Sequence, residues 1–223
     1  MKTKLALAIC CIFSASAFAA DPALSTQKQK LSYTVGHQIG QSLKRQELDV
    51  DLDIVSAAIK DVVTGAKEKL TQEEMQAAVQ SHQQELGNKR AAAAETNKKQ
   101  GQAFLEANKK KQGVVTLPSG LQYKVVTQGK GKKPALTDTI EAHYRGTLID
   151  GKEFDSSYGR GEPAAFPVNA VIKGWQEILQ LMPEGSKYQV FIPSELAYGE
   201  TGAGSDIGPN STLIFDIELI KIK

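Results

Sequence analysis

Asp155 is a lone carboxylate beside Phe154 in a stretch of chain rich in rings. Around it in sequence lie Tyr144, Val171-Ile172-Lys173-Gly174-Trp175, Ala197-Tyr198-Gly199 and Phe215-Asp216. The single Trp of the chain falls in this region, with four of its six Tyr and four of its seven Phe residues. Such a set either fills an ordinary core or lines an apolar cleft that holds one acid. A cleft of that kind suits an apolar ligand with one or two carbonyl groups. An Asp on an apolar sheet edge is more often a turn or cap residue, so residue types alone leave both readings open.

Other chemistry is poorly supported. The sequence has no Gly-x-Ser-x-Gly elbow, no His-Glu-x-x-His and no phosphate-binding loop. Gly202-Ala203-Gly204-Ser205-Asp206-Ile207-Gly208 has the wrong spacing for a dinucleotide loop and no helix after it, and reads as a mobile surface loop. His37 and His82 lack ligand spacing. His143 falls on the strand face opposite Ile140, Ala142 and Tyr144, where a solvated role is expected. We therefore expect neither a metal nor a cofactor.

The elements that must hold these residues are strands. From Val114 the apolar period is two: Leu121, Tyr123 and Val125, then Ile140, Ala142, Tyr144 and Leu148, then Val190 and Ile192, and finally Leu213, Phe215, Ile217 and Leu219. Asp150-Gly151 between apolar runs predicts a two-residue hairpin turn. One helix interrupts, with Trp175, Ile178, Leu179 and Met182 at i, i+3, i+4 and i+7, closed by Pro183 and Gly185. The expected domain, residues 114–223, is α+β: an antiparallel sheet covering one short helix.

Ahead of it the pattern is helical. Leu31, Val35, Ile39 and Leu43 form one apolar stripe; Ile54, Val55, Ala58, Ile59, Val62 and Val63 form a second that ends near Gly65. Gly36 and Gly40, four apart, either admit a close neighbouring helix or are simply tolerated. Thr71-Gln72-Glu73-Glu74 is a capping box that opens a long polar helix. At about forty residues it would run roughly 60 Å, too polar for a core and suited to a solvated arm. Its residues 87–112 carry seven basic side chains against Glu95 and Glu106. That reads as a solvated face, with an anionic surface as the lesser alternative. Residues 21–70 are too few for an independent core without metal or disulfides, so dimerisation through the first helices is expected, with 71–113 as the connecting helix.

Residues 1–20 read as a secretory signal peptide. They comprise basic Met1 to Lys4, an apolar run from Leu5 to Phe13, and Ala17-Phe18-Ala19 for cleavage. An uncleaved anchor needs a longer apolar run of about 20 residues, and Ile9 before Cys10 is too large for a lipoprotein signal. Cleavage would remove Cys10 and Cys11, and the net charge of +2 would fall to about zero with the loss of Lys2 and Lys4. Bulk attraction to nucleic acid is then not expected, and no later segment is apolar enough to span a membrane. The mature protein is expected in the periplasm or at the outer-membrane surface.

Four blocks carry a family resemblance. Ala142-His-Tyr-Arg-Gly-Thr-Leu-Ile-Asp-Gly-Lys-Glu-Phe-Asp-Ser-Ser, Val171-Ile-Lys-Gly-Trp, Glu195-Leu-Ala-Tyr-Gly and Asn210-Ser-Thr-Leu-Ile-Phe-Asp-Ile-Glu-Leu, in this order, resemble the FKBP-type peptidyl-prolyl isomerases. Leu31-Ser-Tyr-Thr-Val-Gly-His-Gln-Ile-Gly and Leu117-Pro-Ser-Gly-Leu-Gln-Tyr-Lys are similar to the Mip and FkpA subgroup, and Gln180-Leu-Met-Pro-Glu-Gly to its Mip branch. The resemblance implies a half-barrel sheet wrapped on the short helix, and a homodimer in which the N-terminal helices intertwine and the long helices form a V. It implies Asp155, Tyr198 and Phe154 as catalytic residues. It implies Tyr144, Arg160, Phe166, Val171, Ile172, Trp175, Ile207 and Phe215 as binding residues. Trp175 would lie under the proline ring, Tyr198 and the Ile172 amide would bond ligand carbonyls, and Arg160 would pair with Asp155. Two positions depart from the family pattern: Ala164 stands in place of a wall aromatic and Ala203 in place of a loop histidine.

The implied function is cis–trans isomerisation of X–Pro bonds in exported polypeptides, with chaperone activity from the dimer and macrolides such as tacrolimus and rapamycin as inhibitors. Two rival readings are a non-catalytic dimeric holdase and an envelope-surface interaction factor.

Overall fold

The computed structural model describes residues 24–46 and 48–223; the expected signal peptide lies outside the described residues. The chain divides into two compact units at Thr71–Gln72.

In the first unit, α1 runs Gln27–Arg45 and α2 runs Leu52–Thr64. α1 opens on a capping box: the Thr26 hydroxyl accepts from the Gln29 amide, and the Gln29 side chain accepts from the Thr26 N–H. α2 opens on Asp51, whose carboxylate accepts from the Asp53 and Ile54 amides, and closes on left-handed Gly65. Both predicted apolar stripes are present, yet neither helix has a buried residue. Leu31 is 62% exposed, Ile54 66%, Val62 74% and Val63 80%. Among the described residues, a Cβ at Gly36 or Gly40 would meet nothing within 4 Å, so no close helix approach is made at these glycines there.

The second unit begins with α3, Gln72–Asn108, directly after Thr71. Its strands are β1 Val114–Thr116, β2 Gln122–Thr127, β3 Thr139–Leu148, β4 Glu153–Ser156, β5 Ala164–Pro167, β6 Lys187–Ile192 and β7 Leu213–Ile222. They form one antiparallel sheet in the order β1-β2-β6-β7-β3-β4, with β5 on the other end of the same β3 edge. α4, Lys173–Leu179, buries Gly174, Trp175, Ile178 and Leu179 against the inner face. That face carries Ile140, Ala142, Tyr144, Val190, Ile192, Leu213, Phe215, Ile217 and Leu219, as the two-residue period predicts.

Four local expectations change. α4 is shorter than predicted: Leu181 and Met182 leave it through bonds to Ile178 and Leu179 carbonyls, three residues back. The hairpin turn has three residues, since the Leu148 amide bonds the Lys152 carbonyl and Gly151, at φ 90°, donates to Leu148. In β2 the alternation breaks down, with Val125 38% exposed and Gln122 3% exposed. The cause is α3. Its final turns are no solvated arm: they cover the sheet face opposite α4. Phe104 packs on Phe191 at 5.9 Å. The buried Asn108 amide donates to Gln122 Oε1 at 3.0 Å, and Gln122 Nε2 donates to the Leu105 carbonyl at 2.9 Å.

α4 lies close to the sheet because Gly174 has no side chain: a Cβ there would sit 2.5 Å from Ile192 Cγ2. Ala gains up to ~1 kcal/mol in helix propensity, but overpacking costs about 1–3 kcal/mol and Ile192 is fully buried. Gly174→Ala is therefore expected to destabilise the second unit in urea, followed by the fluorescence of the single Trp. A stabilised variant would contradict this packing.

Candidate functional site

Tyr144 stands on β3 with its ring on the inner face. Across the pair, β4 sets Asp155 opposite Gly146, and a 3₁₀ turn, Tyr158–Arg160, brings Arg160 back. The fully buried Ser157 fastens this return. Its amide donates to the Tyr144 carbonyl at 3.0 Å, and its hydroxyl accepts from the Tyr144 amide at 2.8 Å. His143 Nδ1 lies 3.0 Å from the same hydroxyl, and its ring stacks on Tyr158 at 4.9 Å. The solvated role expected for His143 is therefore wrong: it is a packing residue on the back of the loop.

Three polar groups close into a triangle. The Tyr144 hydroxyl donates to Asp155 Oδ2 at 2.5 Å. Arg160 donates through Nη2 to the Tyr144 hydroxyl at 2.9 Å and through Nη1 to Asp155 Oδ1 at 3.1 Å. Burial pushes the Asp155 carboxyl up, but the Tyr144 hydroxyl and the Arg160 guanidinium outweigh it and hold the carboxyl below its ordinary value. Burial, reinforced by Asp155, pushes the Tyr144 phenol up, so it remains a donor at neutral pH.

Beneath the triangle lies Trp175, 3% exposed. Tyr144, Phe166 and Phe215 each meet it edge-on, with centroids at 5.4, 5.5 and 5.3 Å. Phe154 in turn stands edge-on to Phe215 at 5.5 Å. The result is a cleft of about 320 Å³ lined by Tyr144, Phe154, Asp155, Phe166, Ala170, Val171, Ile172, Trp175, Tyr198 and Phe215. Trp175 Nε1 is buried without a hydrogen-bond partner, and the rings and aliphatic side chains around it give the floor a largely apolar surface.

Nine of the eleven sequence-predicted site residues line this cleft. Arg160 reaches it only through Tyr144 and Asp155. Ile207 lies instead in an adjoining depression of about 280 Å³ that shares Phe154, Asp155 and Tyr198 and includes Ala203, Gly204 and Asp206. Lys152 and Asp206 pair at 2.7 Å. The surrounding loop is closed rather than loose: Ala203 and Ile207 exchange two backbone bonds, 2.8 and 3.1 Å, and Ile207 is buried. Sequence reasoning missed Ala170 and Ser157. A small residue before Val171 and a Ser in a turn carry no distinctive signal. Among the described residues, no group of three or more His, Cys, Asp or Glu could hold a metal ion, and no helix is long and apolar enough to cross a membrane.

Comparison with known proteins places this geometry. Residues 28–125 match the domain amino-terminal to FKBP-type peptidyl-prolyl isomerase, and residues 130–220 match FKBP-type peptidyl-prolyl cis-trans isomerase. Outer membrane protein MIP of Legionella longbeachae is 48% identical, over 100% of this chain and 99% of its own length. Peptidyl-prolyl cis-trans isomerase Mip of Coxiella burnetii is 41% identical, over 97% and 96%. The crystal structure of FkpA from Escherichia coli superposes with a TM-score of 0.63 at 40% identity, covering 90% of this chain and 99% of that one.

The triangle makes a prediction about acid. Because the folded Asp155 carboxyl lies below its ordinary 3.8, the pairing contributes stability above that pH. It is lost only as pH falls through the lower folded midpoint. Tyr144→Phe removes a donor, so the Asp155 midpoint should rise in a carboxyl NMR titration. An unchanged midpoint would contradict the assignment.

Proposed function

The chain belongs to the FKBP-type peptidyl-prolyl cis–trans isomerases, and we propose that the cleft floored by Trp175 is where it rotates the X–Pro bonds of exported polypeptides. The observation that carries this reading is the pairing of a ring-lined cleft with one carboxylate at its rim. A pyrrolidine ring packs on Trp175, between Phe166, Val171 and Phe215. The Tyr198 hydroxyl and the Ile172 amide, at the cap ahead of α4, receive the carbonyls that flank it.

Catalysis then needs no covalent step. Rotation costs about 18–20 kcal/mol because amide resonance is lost midway. The planar amide is the more charge-separated form, so an apolar cleft disfavours it relative to the twisted one. Asp155, fixed by Tyr144 and Arg160, presents its charge to the dipole of the turning carbonyl. A field set in place before rotation stabilises the twisted state without reorganising. Phe154 walls the same side.

The open stripes of α1 and α2 support a homodimer, since a second copy would cover apolar surface that this chain leaves bare. Chaperone activity then belongs to the paired cleft-bearing units. Macrolide inhibitors of the family are the expected cleft ligands. The N-terminal sequence, and the outer-membrane name of the Legionella longbeachae relative, support an envelope location.

A proline-limited refolding assay on the full chain tests the reading. Wild type is expected to accelerate refolding, and Asp155→Ala or Phe154→Ala to lose at least about tenfold in kcat/KM, equivalent to ~1.4 kcal/mol. Val35→Asp with Ile59→Asp should sediment as a monomer that still turns over. Unaltered refolding with wild type would sink the site, and a dimer that survives both charges would sink the proposed interface.

A further inference from the structure

α3 touches the loop that hangs from Tyr198. That loop leaves the cleft at Gly199 and returns at Asn210, and its neck is tied by the Asn210 amide donating to the Gly199 carbonyl at 2.8 Å. The returning end is held by the helix. Asn97 Nδ2 donates to the Pro209 carbonyl at 2.8 Å and lies 3.4 Å from Ser211 Oγ. Asn210 Nδ2 reaches the Ala94 carbonyl at 3.4 Å. Ser211 Oγ closes the turn onto the Gly208 carbonyl at 2.8 Å. Asn210 itself sits at φ 55°, the single non-glycine residue in the left-handed region among those described. Asparagine enters that region more readily than most side chains, and Asn210 is bonded there on both sides, to Gly199 and to Ala94.

These bonds form one continuous path from α3 to the residue after Tyr198. Tyr198 is 40% exposed and belongs to no strand, so its place depends on its backbone anchor. We infer that Asn97 of α3, through Pro209 and Asn210, is a positioning residue for Tyr198, which makes the end of the long helix a working part of the catalytic unit. The inference rests on the assignment of Tyr198 to the substrate carbonyl. The hydrogen bonds of Asn97 go to Pro209 and Ser211, neither of which lines the cleft, so it acts through the loop's placement. Two further helix contacts, Phe104 on Phe191 and Asn108 on Gln122, lie away from this loop.

Asn97→Ala preserves those other contacts and substitutes the strongest helix former, so the chain should fold. Asn210→Gly offers a second route, keeping the left-handed backbone while removing the bond to Ala94. In the full chain, each is expected to lower kcat/KM on a proline peptide by about three- to tenfold, within the range of coupling seen between networked residues. Combined with Tyr198→Phe, Asn97→Ala should cost nothing further, because the group it positions is already gone. Equal losses from Asn97→Ala in both backgrounds would overturn the inference, as would wild-type turnover of Asn97→Ala while Tyr198→Phe is impaired. If Tyr198→Phe itself turns over like wild type, the assignment of Tyr198 fails and the positioning role falls with it.

Discussion

Trp175 is wedged between α4 and the sheet with three rings meeting it edge-on, and the cleft depends on that wedge. Aromatic pairs in this arrangement contribute about 0.5–1.5 kcal/mol each beyond their buried area, and Trp175 makes three of them. The rings hold one another apart at a fixed spacing, so the space above the indole stays open while the layer beneath it is close-packed. Gly174 lets the helix come near enough for this, and fully buried Ile178 and Leu179 hold it there.

A second constraint follows from the first. An open apolar cleft beside a carboxylate invites that carboxylate to pick up a proton or turn away to water. The Tyr144 hydroxyl and Arg160 prevent both, holding Asp155 ionised and aimed. Tyr144 belongs to both systems: its ring packs on Trp175 and its hydroxyl is an apex of the triangle. Ser157, buried behind it, ties the Asp155 loop to the same backbone position. Ring packing and electrostatics are therefore coupled through one residue, and a shift of the floor moves the charge as well.

Much of this was legible in the residues. The period of two placed Ile140, Ala142, Tyr144 and the β7 residues on one face, and helical spacing put Trp175, Ile178 and Leu179 beneath them. The cleft's lining followed from the family blocks, which composition alone would have left as a core. The docking of α3 was not legible. Its buried face is made of Gly101 and Asn108 with Phe104 beside them, a glycine, an amide and one ring, so no apolar stripe announces it. The partner of Asn108 is a strand amide, Gln122, whose alternation position reads as solvent-facing. Ser157 was hidden for a similar reason: a serine in a turn and a serine that fastens two strands look alike in sequence.

The account holds that rotation is eased by an apolar cleft and a fixed charge, with no proton moving in the rate-limiting step. Catalysed proline-limited refolding in light and heavy water, each corrected for the uncatalysed rate, tests this most directly. An acceleration that is the same in both solvents is the predicted result. A catalysed rate that falls severalfold in heavy water would mean that a proton is in flight, and would contradict it.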